Sequence, residues 1–218
     1  VVLYPMLTPN RRIERRVDLI DAVCRELGFI KRRLIDLTGH EAEGRFLEGT
    51  GSLVLDHRQR LAFACRSPRT DETLVHDWCR QLGYEAVVFD AATPDGTPVY
   101  HTNVLLWIGE TVTGLGLDWV ADRDRSRVAA ALAASGREVL ALPGIALSGF
   151  AGNMLELGTS QGRGGRALVM SASAGAALDP PLRGRLEAAT DRLLIVPVPT
   201  IERLGGGSVR CMLAEVPA

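Results

Sequence analysis

Leu74, Val75, Trp78, Cys79 and Leu82 recur at helical spacing, so the stretch from Thr70 to Leu82 predicts an amphipathic helix with Gly83 as its stop. Before it, Leu53-Val54-Leu55 and Leu61-Ala62-Phe63-Ala64 read as short strands around the polar turn Asp56-His57-Arg58-Gln59-Arg60. After it, Glu85 to Phe89 returns as a strand. The same phrase recurs downstream: a strand at Val104 to Ile108, a helix from Ser126 to Ala134, a stop at Gly136 and a strand from Glu138 to Leu142. A third copy has Ala167 to Met170, a helix near Leu182 to Ala189, and Arg192 to Val196. The opening segment fits too, with a strand over Val1 to Leu7, a helix across Val17 to Leu27, and Gly28 after it.

The repeat has a period. Glu48 to His101 is 53 residues, His101 to Asn153 is 52, and Asn153 to Ser208 is 55. Each anchor opens a similar phrase ahead of a first strand, although identity between the copies is low. A strand–strand–helix–strand unit of this size cannot bury its own face, so several must pack around a common centre. Radial packing would direct the fronts of the first strands toward one axis, where Glu48, His101, Asn153 and Cys211 could meet.

Bulk properties narrow the class. The 218 residues suit a single pseudo-symmetric catalytic domain, and 46% apolar content is ample for a core. With 25 basic against 26 acidic residues, net charge is -1, which does not suggest a nucleic-acid partner. The densest basic stretch, Arg11-Arg12-Ile13-Glu14-Arg15-Arg16, reads as a solvated face paired with Glu14 and Asp18. Cys24, Cys65, Cys79 and Cys211 form neither a CxxC pair nor a disulfide framework, so a reducing, cytoplasmic setting and no structural zinc are expected. Cys24, Cys65 and Cys79 read as packing residues, and His40, His57 and His76 as surface histidines. No apolar stretch is long enough to span a bilayer and no secretory signal opens the chain, so no membrane partner is expected. The chain begins Val1-Val2-Leu3-Tyr4-Pro5-Met6, in what looks like mid-strand, and is expected to be a fragment whose first module is largely missing.

Cys211 follows Gly205-Gly206-Gly207-Ser208 and precedes the short apolar run Met212 to Val216, which places a thiol at the end of an expected strand. A free cysteine alone is most often a small core hydrophobe. With Glu48 and His101 in matching positions, it becomes a nucleophile with a proton acceptor and an orienter. Asn153 could equally close a turn, and Arg69 could cap the helix that follows it.

Four phrases carry a resemblance: Phe46-Leu47-Glu48-Gly49-Thr50-Gly51-Ser52, Tyr100-His101-Thr102-Asn103, Phe150-Ala151-Gly152-Asn153-Met154-Leu155-Glu156-Leu157 and Gly205-Gly206-Gly207-Ser208-Val209-Arg210-Cys211-Met212. In these, over essentially its whole length, the chain resembles the guanidino-group-modifying superfamily of arginine deiminases, dimethylarginine hydrolases and amidinotransferases. It looks most like the citrulline-utilisation hydrolase branch. The resemblance implies a pentein-type α/β propeller, Cys211 as nucleophile, His101 as general acid and base, and Glu48 as its orienting carboxylate. It further implies that Arg69 holds a substrate carboxylate. Asn103 and Asn153 are the remaining candidates to face a small amino-acid substrate, and no cofactor or metal is expected. An acid from the first module that grips the substrate nitrogens in relatives has no candidate here.

The departures bear on substrate. Arginine deiminases typically carry further acids near the positions of Gly51-Ser52 and at that of Asn103. A cationic guanidinium favours paired carboxylates. A neutral ureide carries a carbonyl oxygen that needs a donor, and Asn103 can donate as well as accept. Citrulline, hydrolysed to ornithine, is therefore the expected substrate. An arginine deiminase or amidinotransferase is the alternative within the superfamily, and a non-catalytic propeller or an unrelated cysteine hydrolase lies outside it. The sequence is also compatible with a homo-oligomer.

Overall fold

The computed structural model describes residues 1–31, 33–158 and 165–214. The repeat predicted from the sequence is present as a repeated sheet topology. The first element pair is β1 (Val2–Leu3) and β2 (Ile35–Asp36), parallel, with α1 (Val17–Leu27) between them. A one-turn helix α2 (Gly49–Ser52) then leads into β3 (Leu53–Asp56), β4 (Leu61–Cys65), α3 (Glu72–Leu82) and β5 (Glu85–Phe89). The next copy has β6 (Leu106–Ile108), β7 (Val112–Leu115), α4 (Asp122–Ala133) and β8 (Glu138–Ala141). After α5 (Gly144–Ser148) come β9 (Leu155–Gly158), β10 (Arg166–Ser171), α6 (Ala172–Ala177), α7 (Pro180–Ala189) and β11 (Arg192–Val196). The described chain closes with α8 (Pro199–Gly205) and a 3-10 turn over Val209–Met212.

Each three-stranded sheet obeys one rule. Its first strand is antiparallel to the second, and the second is parallel to the third, as in β3-β4-β5, β6-β7-β8 and β9-β10-β11. Parallel second and third strands require a crossover, which α3, α4 and α7 supply. Asp71 and Asp179 accept the Leu74 and Leu182 backbone N–H groups at the starts of α3 and α7, and Gly83 ends α3 in the left-handed region at φ 70°. The result is a mixed α/β fold of repeated modules.

The core lies where the first and second strands meet: Phe63, Leu105, Leu106, Trp107, Leu115, Leu140 and Met154 are fully buried. A second cluster packs Leu47, Leu74, Val75 and Trp78 beneath β4. Adjacent modules are joined by a buried ion pair. The Arg137 guanidinium grips both oxygens of Asp56 and donates from Nε to the Gly109 carbonyl at 2.6 Å, while Asp56 also accepts the Arg58 and Gln59 N–H groups. The carboxylate is 2% exposed, so its removal strands a guanidinium in the interior. Asp56→Ala should cost about 3–5 kcal/mol of stability, measured by denaturant unfolding; a loss under about 1 kcal/mol would contradict this role for the pair.

Several expectations need correction. The strand over Val1 to Leu7 contracts to Val2–Leu3, because Pro5 lacks the N–H that a strand would use. Helix α1 forms as predicted but buries none of its residues: Leu19, Val23 and Leu27 are exposed and Cys24 is only half-buried, not a packed core residue. Periodicity identified the apolar face but not what lies against it. Cys65 and Cys79 are buried as expected, and His57 and His76 lie at the surface. His40 is partly buried, held between Glu43 and Arg45. Among the described residues no helix is long and apolar enough to cross a membrane, and no cluster of His, Cys, Asp and Glu could hold a metal ion.

Candidate active site

The anchors share a local device. Glu48 is the N-cap of α2, and His101 and Ser208 are the N-caps of the 3-10 turns Thr102–Val104 and Val209–Met212. Each leaves extended or irregular backbone just as the chain tightens into a helical turn. Asn153 is delivered differently. Phe150 adopts a left-handed conformation at φ 70°, and Gly152 packs so closely on Val104 that an added Cβ would fall 1.9 Å from its carbonyl oxygen. A strained aromatic and an obligatory glycine thus turn Asn153 inward.

Glu48, His101, Asn103, Arg69 and Cys211 line one cavity of about 180 Å³. His101 Nε2 is 2.9 Å from Glu48 Oε2, which also lies 3.3 Å from Arg69; Glu48 Oε1 accepts the Leu7 N–H at 3.0 Å. Burial pushes the Glu48 carboxyl upward, but the His101 and Leu7 bonds, with the charges of His101 and Arg69, outweigh it and hold the carboxyl below its ordinary range. The His101 ring rests on Gly51, where a Cβ would lie 2.7 Å from Cε1 and Nδ1. No other residue leaves room for the imidazole in this place.

Cys211 Sγ lies 3.3 Å from Asn153 Nδ2 and 3.8 Å from Asn103 Nδ2. Asn153 Nδ2 also donates to the Asn103 carbonyl, and Asn103 Nδ2 to that of Thr50, so the two amides are locked together beside the sulfur. Asn103 Oδ1 is buried with no hydrogen-bond partner among the described residues. The structure therefore brings all six sequence-predicted residues to one place: Glu48, Arg69, His101, Asn103, Asn153 and Cys211.

Cys211 is on the 3-10 turn rather than at the front of a strand, which the apolar run after it had suggested. Residues 215 and 216 of that run lie outside the described residues. Arg11, read as part of a solvated face, lines the cavity from a 3-10 helix over Pro9–Glu14. Its bond to Glu14 first, then the charges of Glu14, Glu48 and Cys211, raise its pKa against the opposing effect of burial. Neighbouring Arg12 and Arg15 pair with Glu41 instead of facing water. Tyr100 was also missed: its hydroxyl donates to the Gly206 carbonyl, and the Arg69 guanidinium lies 5.5 Å from its ring centroid. Neither role has a local signal, since Tyr100 and Gly206 are 106 residues apart.

The family model described as N,N dimethylarginine dimethylhydrolase, eukaryotic, matches residues 1–218. The chain belongs to the dimethylarginine dimethylhydrolase family. This family falls within the guanidino-modifying superfamily that the four phrases resemble. Among solved structures, ArgZ, an arginine dihydrolase from the ornithine-ammonia cycle in cyanobacteria, superposes with a TM-score of 0.72 at 15% identity, over 97% of this chain and 30% of that one. AgrE, in a complex with L-arginine, gives 0.73 at 14% identity over 97% and 28%. SxtG, an amidinotransferase from Microseira wollei, gives 0.63 at 14% identity over 96% and 62%. These likenesses establish the fold that this dimethylarginine dimethylhydrolase family member shares with them. The chain spans under a third of the full-length ArgZ chain and 68% of its N-terminal domain. No curated protein sequence gives a significant match.

Proposed function

We propose that this family member is a cysteine-dependent hydrolase of a ureido or guanidino carbon, with citrulline as its substrate and ornithine as its product. The observation that carries the reading is the Cys211 thiol flanked by two amide donors, in the same cavity as a bonded His101–Glu48 pair. The Cys211 thiolate adds to the planar ureido carbon, and the carbonyl oxygen takes the developing charge toward the amide N–H groups of Asn103 and Asn153. His101, held by Glu48, protonates the departing ornithine nitrogen as the C–N bond breaks, leaving a carbamoyl group on sulfur. The same imidazole then takes a proton from water as its oxygen attacks that carbon. The thiolate leaves, and the carbamate released decomposes to ammonia and carbon dioxide.

Charge within the cavity favours the neutral substrate. Glu48 is the only acid among its described lining residues, and its oxygens are engaged by His101, Arg69 and Leu7. Ser52, where deiminases carry an acid nearby, is fully buried and accepts the Glu48 N–H while donating to the Arg69 carbonyl, so it is structural. Arg11 and Arg69 leave the cavity suited to a carboxylate at one end of the substrate and poorly suited to a guanidinium. Closure of the modules into a five-bladed propeller and a cytoplasmic setting for the free thiols complete the proposal.

Family membership favours the second reading, a guanidino substrate such as arginine or a methylated arginine. A direct assay separates the two. The intact protein should release ornithine from citrulline with a kcat/KM at least tenfold above that for arginine or dimethylarginine, a difference of about 1.4 kcal/mol in transition-state binding. Turnover of a guanidine without ornithine release from citrulline would reject the citrulline assignment.

A further inference from the structure

Glu202 projects from α8, outside the cavity, yet its carboxylate gathers two serine hydroxyls, one on each oxygen. Ser208 Oγ donates to Oε1 at 2.8 Å and Ser173 Oγ to Oε2 at 2.6 Å. Ser173 lies in the first turn of α6, whose N-cap Ser171 accepts the Ala174 N–H at 3.0 Å. One carboxylate therefore ties the start of α6 to the segment after α8. Ser208 is fully buried and its carbonyl accepts the Cys211 N–H at 3.1 Å, which closes the turn bearing the thiol. Between Glu202 and Ser208 run three glycines, which have no side chains of their own to hold the loop in place.

We infer that Glu202 is the positioning residue for Cys211: through Ser208 it fixes where the 3-10 turn begins and hence where the sulfur lies relative to Asn153, Asn103 and His101. The glycines permit the approach, since a Cβ at Gly207 would already stand 3.0 Å from Cys211 Sγ. The carboxylate then removes the freedom that the glycines introduce. Burial pushes the Glu202 carboxyl upward, but the bonds from the serine hydroxyls outweigh it and hold the group below its ordinary range. Glutamine keeps the size but loses the charge, and its NH2 can only donate, so one serine hydroxyl must reverse its bond and both bonds weaken.

This inference rests on Cys211 as the nucleophile, and its test reads the thiol independently of substrate. In Glu202→Gln of the intact protein, kcat should fall on the order of 100-fold with KM within about twofold, as expected when reacting groups shift by about an ångström. Alkylation of Cys211 by iodoacetamide, whose carboxamide is close in size to a ureido head, should slow in parallel, followed by mass spectrometry of the Cys211 peptide. Ser208→Ala should reproduce both effects, and serves alone if Glu202→Gln does not fold. The double variant should be no slower than the slower single, because both remove one contact path. Wild-type kcat and alkylation in either variant, a rise in KM alone, or losses that multiply in the double variant would each overturn the assignment. If the wild type releases no ornithine from citrulline, the alkylation comparison still decides this point.

Discussion

Cys211→Ala should abolish turnover, by at least about 10⁴-fold, because the side chain that would carry the covalent intermediate is gone. Its stability should change by less than about 1 kcal/mol, since the residue is exposed on a 3-10 turn. That combination separates a nucleophile from a packing cysteine, and the protein holds its own controls. Burial pushes the Cys65 thiol up to about 12 and the Cys79 thiol up to about 11, so neither should form a thiolate near neutral pH. A Cys65→Ala variant should instead lose stability and keep its catalytic rate per folded molecule. Residual activity of Cys211→Ala within tenfold of wild type, by steady-state kinetics, would remove the thiol from the mechanism.

The second large effect is expected at Glu48→Gln, which should lower kcat on the order of 10³–10⁴-fold while the protein stays folded. The amide cannot accept from His101, Leu7 and Arg69 as the carboxylate does, so the imidazole loses the partner that sets its tautomer and stabilises its protonated form. Stability should carry a matching signature. The Glu48 carboxyl is held below its ordinary range in the folded protein, so its contribution is present above the unfolded value and is lost as pH falls through the lower, folded one. Unfolding curves of wild type and Glu48→Gln should therefore differ at neutral pH and converge in acid. Curves that stay parallel down to strongly acidic pH would exclude ionisation of Glu48 as the source of the difference.

Much of the fold was legible because its elements are local. The spacing of Leu74, Val75, Trp78, Cys79 and Leu82 records a helix laid on a sheet, and the structure places that helix at Glu72–Leu82. The convergence of Glu48, His101 and Asn153 was legible for another reason: the modules repeat, so one position recurs at intervals of 52 to 55 residues, and Cys211 lies three residues past its last occurrence at Ser208. Arg11 was hidden because a 3-10 helix has neither the length nor the period that identifies a face. Tyr100 bonds a carbonyl 106 residues away, and Glu202 bonds Ser173 29 residues away, pairings that no local pattern records. Helix α1 shows the opposite limit, a correctly predicted element whose apolar side lies open.

The helical turns capped by Glu48, His101 and Ser208 have a consequence for how far such a site depends on its scaffold. The cap position needs only a backbone that exits into a turn, and in these modules it is occupied by an acid, an imidazole and a hydroxyl without any change in sheet topology. The side chain at a cap is thereby independent of the strand pairing behind it, which β3-β4-β5 and β6-β7-β8 share under different caps.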